Sequence, residues 1–236
     1  MPVRGSDYGS LARSGCVGAH SLEIEDNLRT YHEVRQRVGD DIVIQLTTEA
    51  VGKYSPQQQM ALIKAVKPEA ASFAIKELIP SDHDRPIARD FFAWVKEENI
   101  TAQYIVYSVD DLKRYIDLIE NQILPTQNHH LLLVLGRYSE QLLSNPTDLL
   151  PFFPTLQQVK CRWAVCAFGP RELHCLTAAA LLGGDVRIGF ENNHLDIFGR
   201  PAKGNAQQVK QLKNTLSMLN IGTYDANAFR AIIKEC

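Results

Sequence analysis

The sequence has no CxxC pair, no GxGxxG turn and no GxxxxGK[ST] loop. It also contains no apolar run near the ~20 residues that a membrane-spanning helix needs. Each absence removes a class of protein. The five cysteines, Cys16, Cys161, Cys166, Cys175 and Cys236, are odd in number and scattered. They suggest neither a secreted disulfide framework nor a zinc ribbon, and a reducing cytoplasm is the expected setting. The glycine-rich phosphate turns of dinucleotide-binding and P-loop proteins are missing. The start, MPVRGSDYGSLARSGCVG, lacks the continuous apolar region of a signal peptide. An excess of charge of either sign is lacking as well: the formal net charge is -2 and the pI is about 6.4. No nucleic acid or anionic membrane is therefore expected as a partner. What is present is the composition of an ordinary soluble globular protein, with 45% of its 236 residues hydrophobic and 22% charged.

A β-α alternation runs along the chain. DDIVIQLTTE (40–49) is a β-branched strand run, and SPQQQMALIKAVKP (55–68) follows with helical spacing. Ser55 is placed to cap that helix and Pro56 suits its first turn. AASFAI (70–75) precedes a helix over 86–99, and TAQYIVY (101–107) precedes one over 109–122, where Leu112, Tyr115, Ile116 and Ile119 share a face. HHLLLVLG (129–136) is apolar throughout, as strands buried on both faces are, and a helix is expected around 138–150. CRWAVCAF (161–168) leads to a helix over 171–183 that stops at Gly183-Gly184, then VRIGFE (186–191), a loop, and a last long helix over 206–219.

Six strands, each followed by a helix, predict an α/β protein with a parallel sheet. An open doubly wound sheet and a (β/α)8 barrel both satisfy the pattern. The missing glycine-rich turn weighs against the first. The polar strand ends favour the second, because a barrel collects its active site from the C-terminal ends of many strands. Those ends are Thr47-Thr48-Glu49, Ser72, Tyr107-Ser108, Arg137-Tyr138 and Glu191-Asn192-Asn193. Tyr104, Tyr107 and Arg137 are candidate substrate contacts. Cys161 and Cys166, five residues apart on one strand, point to opposite faces and are expected to be buried core thiols.

The strings VIQLTTEAVGKYSP, VKPEAASFAI, LLLVLGRY, WAVCAFG and VRIGFENN, in this order and spacing, resemble the β-keto acid cleavage enzyme family, which includes 3-keto-5-aminohexanoate cleavage enzymes. The match covers about residues 18–235. The resemblance implies a zinc-dependent (β/α)8 TIM barrel, homo-oligomeric, that condenses a β-keto acid with acetyl-CoA as co-substrate to give acetoacetate and an acyl-CoA. It implies that Glu191 is a metal ligand, that Arg187 organises the acid-base step, and that Thr47 and Ser72 hydrogen-bond the substrate. Zinc held by one carboxylate and two imidazoles would keep open positions for a chelating β-keto acid.

The sequence departs from the family at three places. Asn192 stands where some members carry an aspartate base, and an amide cannot take that proton at ordinary pH. Glu49 stands where the aminohexanoate enzyme has glycine, which makes it a candidate replacement base. Most conspicuously, the HxH motif that supplies the family's two metal histidines occurs nowhere. His20 and His32 are expected on the N-terminal side, and the His129-His130 pair ahead of its strand at the opposite rim. The abrupt change from residues 1–17 to a good match from 18 predicts an atypical N-terminal segment followed by a partial TIM-barrel domain over 18–236. The first two strands and the first helix are expected to be missing, through a frameshift, a wrongly chosen start or a truncated paralogue. The alternative function is accordingly a catalytically inactive paralogue.

Overall fold

The computed structural model describes residues 8–11, 20–127, 129–139, 141–159 and 161–233, with 8–11 described for backbone alone. In chain order the elements are β1 (Tyr8–Leu11), α1 (Ile24–Val38), β2 (Val43–Thr47), α2 (Pro56–Val66), β3 (Ala70–Ala74), α3 (Ile75–Leu78), α4 (Arg85–Glu97), β4 (Thr101–Val106), α5 (Val109–Glu120), β5 (His129–Leu135), α6 (Phe153–Leu156), β6 (Arg162–Ala167), α7 (Glu172–Leu181), β7 (Asp185–Val186), α8 (Asn205–Met218) and α9 (Ala226–Ile233). Single 3-10 turns at Asp82–Asp84 and Pro146–Phe152 complete the set. Among the described residues, no helix is long and apolar enough to cross a membrane.

The chain divides into two compact units, one built from the described residues of 7–105, 114–130 and 225–236, the other from those of 106–113 and 131–224. In the first, β1, β2, β3 and β4 lie side by side in chain order, all parallel. Gln45 pairs with Ala70, Thr47 with Ser72, and Ala70 with Thr101. Every residue of β3 is buried, as two covered sheet faces require. Phe73 stands at its centre with ring centroids 5.7 Å from Phe91 and 5.2 Å from Phe92 of α4, both edge-on. Ser55 caps α2 reciprocally with Gln58, and Pro56 opens the helix. Glu69, just before β3, is gripped by Arg35 of α1 (2.6 Å) and Arg230 of α9 (2.5 Å).

The second unit orders β5, β6 and β7 in sequence, with Ala164 opposite Asp185 and Val165 opposite Val186. At the start of this pair the Arg162 guanidinium meets both carboxylate oxygens of Asp185 at 2.8 Å, with both side chains 5% exposed or less.

Several expectations change. A strand at Tyr8–Leu11 lies where the pattern shows none; the rest of 1–17 is outside the described residues, as are Cys16 and Cys236. The helix expected over 138–150 is replaced by the 3-10 turn at Pro146–Phe152 and the single turn of α6. Pro146, Pro151 and Pro154 remove the amide donors that a continuous α-helix would need. The last strand is shorter than 186–191, since ladder pairing ends with the Arg187 N–H on the Val165 carbonyl at 2.9 Å. His129 and His130 are the first two residues of β5 and are buried, rather than ahead of it. Cys166 is buried as expected but Cys161 is half-buried.

Candidate active site

The β6-α7-β7 segment brings together a group of residues at the C-terminal ends of its strands. After β6 the chain turns at Gly169, whose φ of 89° and N–H bond to the Asn192 carbonyl (3.1 Å) carry it past the 189–193 turn. α7 then starts at Glu172, whose carboxylate suits a helix N-terminus but is only 1% exposed. The helix ends at Gly183 with φ 90°. Gly184 follows because a Cβ there would sit 2.3 Å from the Trp163 ring. β7 pairs beside β6 and delivers Arg187 past its end.

Arg187 is half-buried and donates from Nη2 to Glu191 Oε2 at 3.1 Å, a carboxylate that is 53% exposed. The guanidinium also reaches the Cys166 thiol of β6. Burial pushes that thiol up to about 11, with Arg187 opposing and the Glu191 and Glu172 charges adding to the rise. Cys166 therefore stays a protonated thiol at neutral pH and is no nucleophile. Glu172 accepts a hydrogen bond from the Gly189 N–H at 3.3 Å. Burial pushes its carboxyl up to about 7, against the pull of the Gly189 N–H, the Asn193 amide and the Arg187 charge.

The 189–193 turn is tied down from α8. The Asn205 carboxamide oxygen accepts from the Phe190 N–H at 2.8 Å, and Gln208 donates to the Asn193 carbonyl at 2.7 Å. Asn193 closes a local turn with Leu195 through both its side-chain oxygen and nitrogen. Asn192 is buried, and its Nδ2 has no hydrogen-bond partner among the described residues. That is an uncompensated donor next to Glu191 in the chain, where an arriving oxygen acceptor would be stabilised.

Thr47, Glu49 and Ser72 belong to the other unit. Thr47 is half-buried and lies in register with Ser72, which is 1% exposed, with an Oγ that has no hydrogen-bond partner among the described residues. Thr48 donates to the Ser72 carbonyl at 3.5 Å. Glu49 is half-buried, and its carbonyl meets His20 Nε2 at 2.7 Å. His20 is thus at the C-terminal end of β2, not on the N-terminal side, because it lies on the connection leading into α1 rather than at the far end of that helix. Of the predicted site residues, the structure joins Arg187, Glu191 and Asn192 in one unit, and Thr47, Ser72 and Glu49 in the other.

Tyr107 and Arg137 line a cleft of about 420 Å³ with Ser108, Gly136, Tyr138 and Ser139, at the ends of β4 and β5. Arg137 stacks 5.3 Å from the Phe168 ring centroid. Tyr104 is buried in the core, 5.3 Å from Phe92. Burial raises its phenol well above the usual range.

Glu172 is the residue that the sequence reading missed. Its signal was available: it lies three, four and seven positions before Cys175, Leu176 and Ala179, on the apolar stripe of α7. A carboxylate on a buried stripe is a group held for a reason.

Zinc needs donors that the described residues do not bring together. No group of three His, Cys, Asp or Glu side chains converges among them, although all seven histidines are described. Glu191 faces Arg187 rather than an imidazole. The donor set does not fit a zinc ion held by one carboxylate and two histidines.

The fold class is that of an α/β, TIM-barrel-like protein. The chain is similar to the 1.95 Å crystal structure of a type I 3-dehydroquinate dehydratase from Clostridium difficile with covalently modified comenic acid. The TM-score is 0.56 at 10% identity, covering 84% of this chain and 77% of that one, a likeness of fold alone. The family is closer in kind: the model described as beta-keto acid cleavage enzyme matches residues 12–234. The chain belongs to the β-keto acid cleavage enzyme family.

Proposed function

We propose that this chain acts on a β-keto acid, with Arg187 taking the substrate carboxylate, in the exchange with acetyl-CoA that yields acetoacetate and a new acyl-CoA. The observation that carries the proposal is the half-buried Arg187 fork at the end of β7, flanked by Glu191 and Glu172. A guanidinium presents five N–H donors in a plane, more than one carboxylate uses, and matches a second carboxylate in geometry. The buried Asn192 amide offers a further donor for a keto or enolate oxygen. Thr47 and Ser72 supply hydroxyls, and Glu49 a carboxylate, on the other unit. The proposal includes a cytoplasmic homo-oligomer. No step is routed through zinc, because the donors do not fit it.

A second reading, a family member that binds β-keto acids without turning them over, is favoured by the incomplete donor set. One experiment separates the two. The purified chain and its Arg187→Ala variant are given a simple 3-oxo acid with acetyl-CoA, and both acid binding and acyl-CoA formation are followed. Product formed by the wild type and lost in the variant supports cleavage. Binding that depends on Arg187 without product supports the second reading, and no binding overturns both. Elemental analysis is expected to find zinc well below one per chain, unchanged by Glu191→Ala. One zinc per chain that is lost in that variant would show that other residues complete a site.

A further inference from the structure

Glu172 has no counterpart among the residues that the proposed reaction uses, yet it is the most deeply buried carboxylate near Arg187. It holds the Gly189 N–H at 3.3 Å, so it fixes the start of the turn that carries Glu191, Asn192 and Asn193. It faces the Arg187 charge and the Asn193 amide. The other titratable groups around this point are the Cys166 thiol of β6 and the Glu191 carboxylate beyond β7. Asp148 and Arg171 act one helical turn further on, at Cys175.

We infer that Glu172 is a positioning residue: it anchors the 189–193 turn, and its proton decides how strongly the nearby Arg187 takes an incoming carboxylate. This rests on the reading of Arg187 as the carboxylate-binding group. When Glu172 is protonated, Arg187 is balanced by the half-exposed Glu191 alone and accepts a second anion. When Glu172 is ionised, its charge adds to that of Glu191 at the guanidinium and a further anion is disfavoured. Burial places that change at about 7, in the middle of the accessible pH range. Asn192 cannot hold this proton, and Glu49 belongs to the other unit, so Glu172 is the buried carboxylate whose charge acts on Arg187.

Glu172→Gln separates position from proton, since a carboxamide keeps the acceptor for Gly189 and removes the titration. Acetoacetate is the probe, its own carboxyl being ionised throughout the range used. For the wild type, the Kd is expected to weaken by about fivefold from pH 6 to pH 8, as a one-unit rise in the Glu172 pKa on binding would give. For Glu172→Gln, with an unchanged melting temperature at pH 6 as the control for folding, the Kd is expected to stay at its pH 6 value. A variant that keeps the wild-type pH dependence overturns the inference while leaving the β-keto acid reading intact. If Arg187→Ala binds acetoacetate as the wild type does, the reading of the site falls and the inference falls with it.

Discussion

Two regions of this molecule bury polar side chains, and they do it in opposite ways. In the first unit, Gln45 donates to Gln103 at 3.3 Å, Gln103 meets His130 Nδ1 at 3.0 Å, and the Tyr115 hydroxyl meets His129 Nε2 at 2.5 Å. The two carboxamides carry no charge. Burial, with the His130 side chain beside it, pushes His129 down to about 4, so the imidazole stays uncharged at neutral pH. In the second unit charges meet: Arg162 and Asp185 form a buried ion pair, and the half-buried Arg187 meets the exposed Glu191 with the buried Glu172 acting on it. A neutral network can be closed on itself inside the protein and specifies packing. A half-buried guanidinium can exchange a resident carboxylate for an arriving one, and so this second arrangement can bind.

The sharpest way to break the contrast is to remove one charge from the closed ion pair. Asp185→Ala leaves the Arg162 guanidinium buried and uncompensated, and is expected to cost about 3–5 kcal/mol in denaturant unfolding. The neutral network should be less sensitive: Tyr115→Phe removes one buried hydroxyl from His129 and is expected to cost about 1–3 kcal/mol by the same measurement. A cost at Tyr115 as large as that at Asp185 would erase the distinction.

The smallest effect is the most diagnostic, because the two regions pull the pH dependence of stability in opposite directions. His129 is held near 4 against an ordinary 6.5, so its folded state favours the neutral ring. Its contribution is intact above 6.5 and is lost as pH falls toward 4. Glu172 is raised to about 7 from an ordinary 4.5, so its contribution is complete below 4.5 and is lost as pH rises through 7. The two windows overlap and their slopes oppose, so between pH 4 and 7 the unfolding midpoint should fall with rising pH in His129→Gln, where the Glu172 contribution alone remains, and rise with pH in Glu172→Gln.

Much of this was legible in the sequence, where the physics is local. The capped start of α2, the apolar run of β5 and the glycine stop after α7 are each set by a few neighbouring residues, and each is found where the pattern places it. The segment after β5 was misread because the β-α alternation was weighed ahead of the prolines. Arg187, Glu191 and Asn192 were named because they follow one another at a strand end. Glu172 was not, because its role depends on meeting Gly189 and Arg187 across a strand pair, a contact that no local pattern announces.

The bond from Arg162 to Asp185 closes a loop with a sequence separation of 23 residues, with α7 packed inside it. The entropy of closing such a loop grows only with the logarithm of its length, so this β-α-β segment assembles through near neighbours in the chain. Cys166 and Glu172 lie on it and Arg187 two residues past its end, with Glu191 four residues further. The anion-binding corner is therefore a portable cassette: a stretch of chain short enough to be transplanted, recombined or copied as one piece, together with the lock that holds it shut.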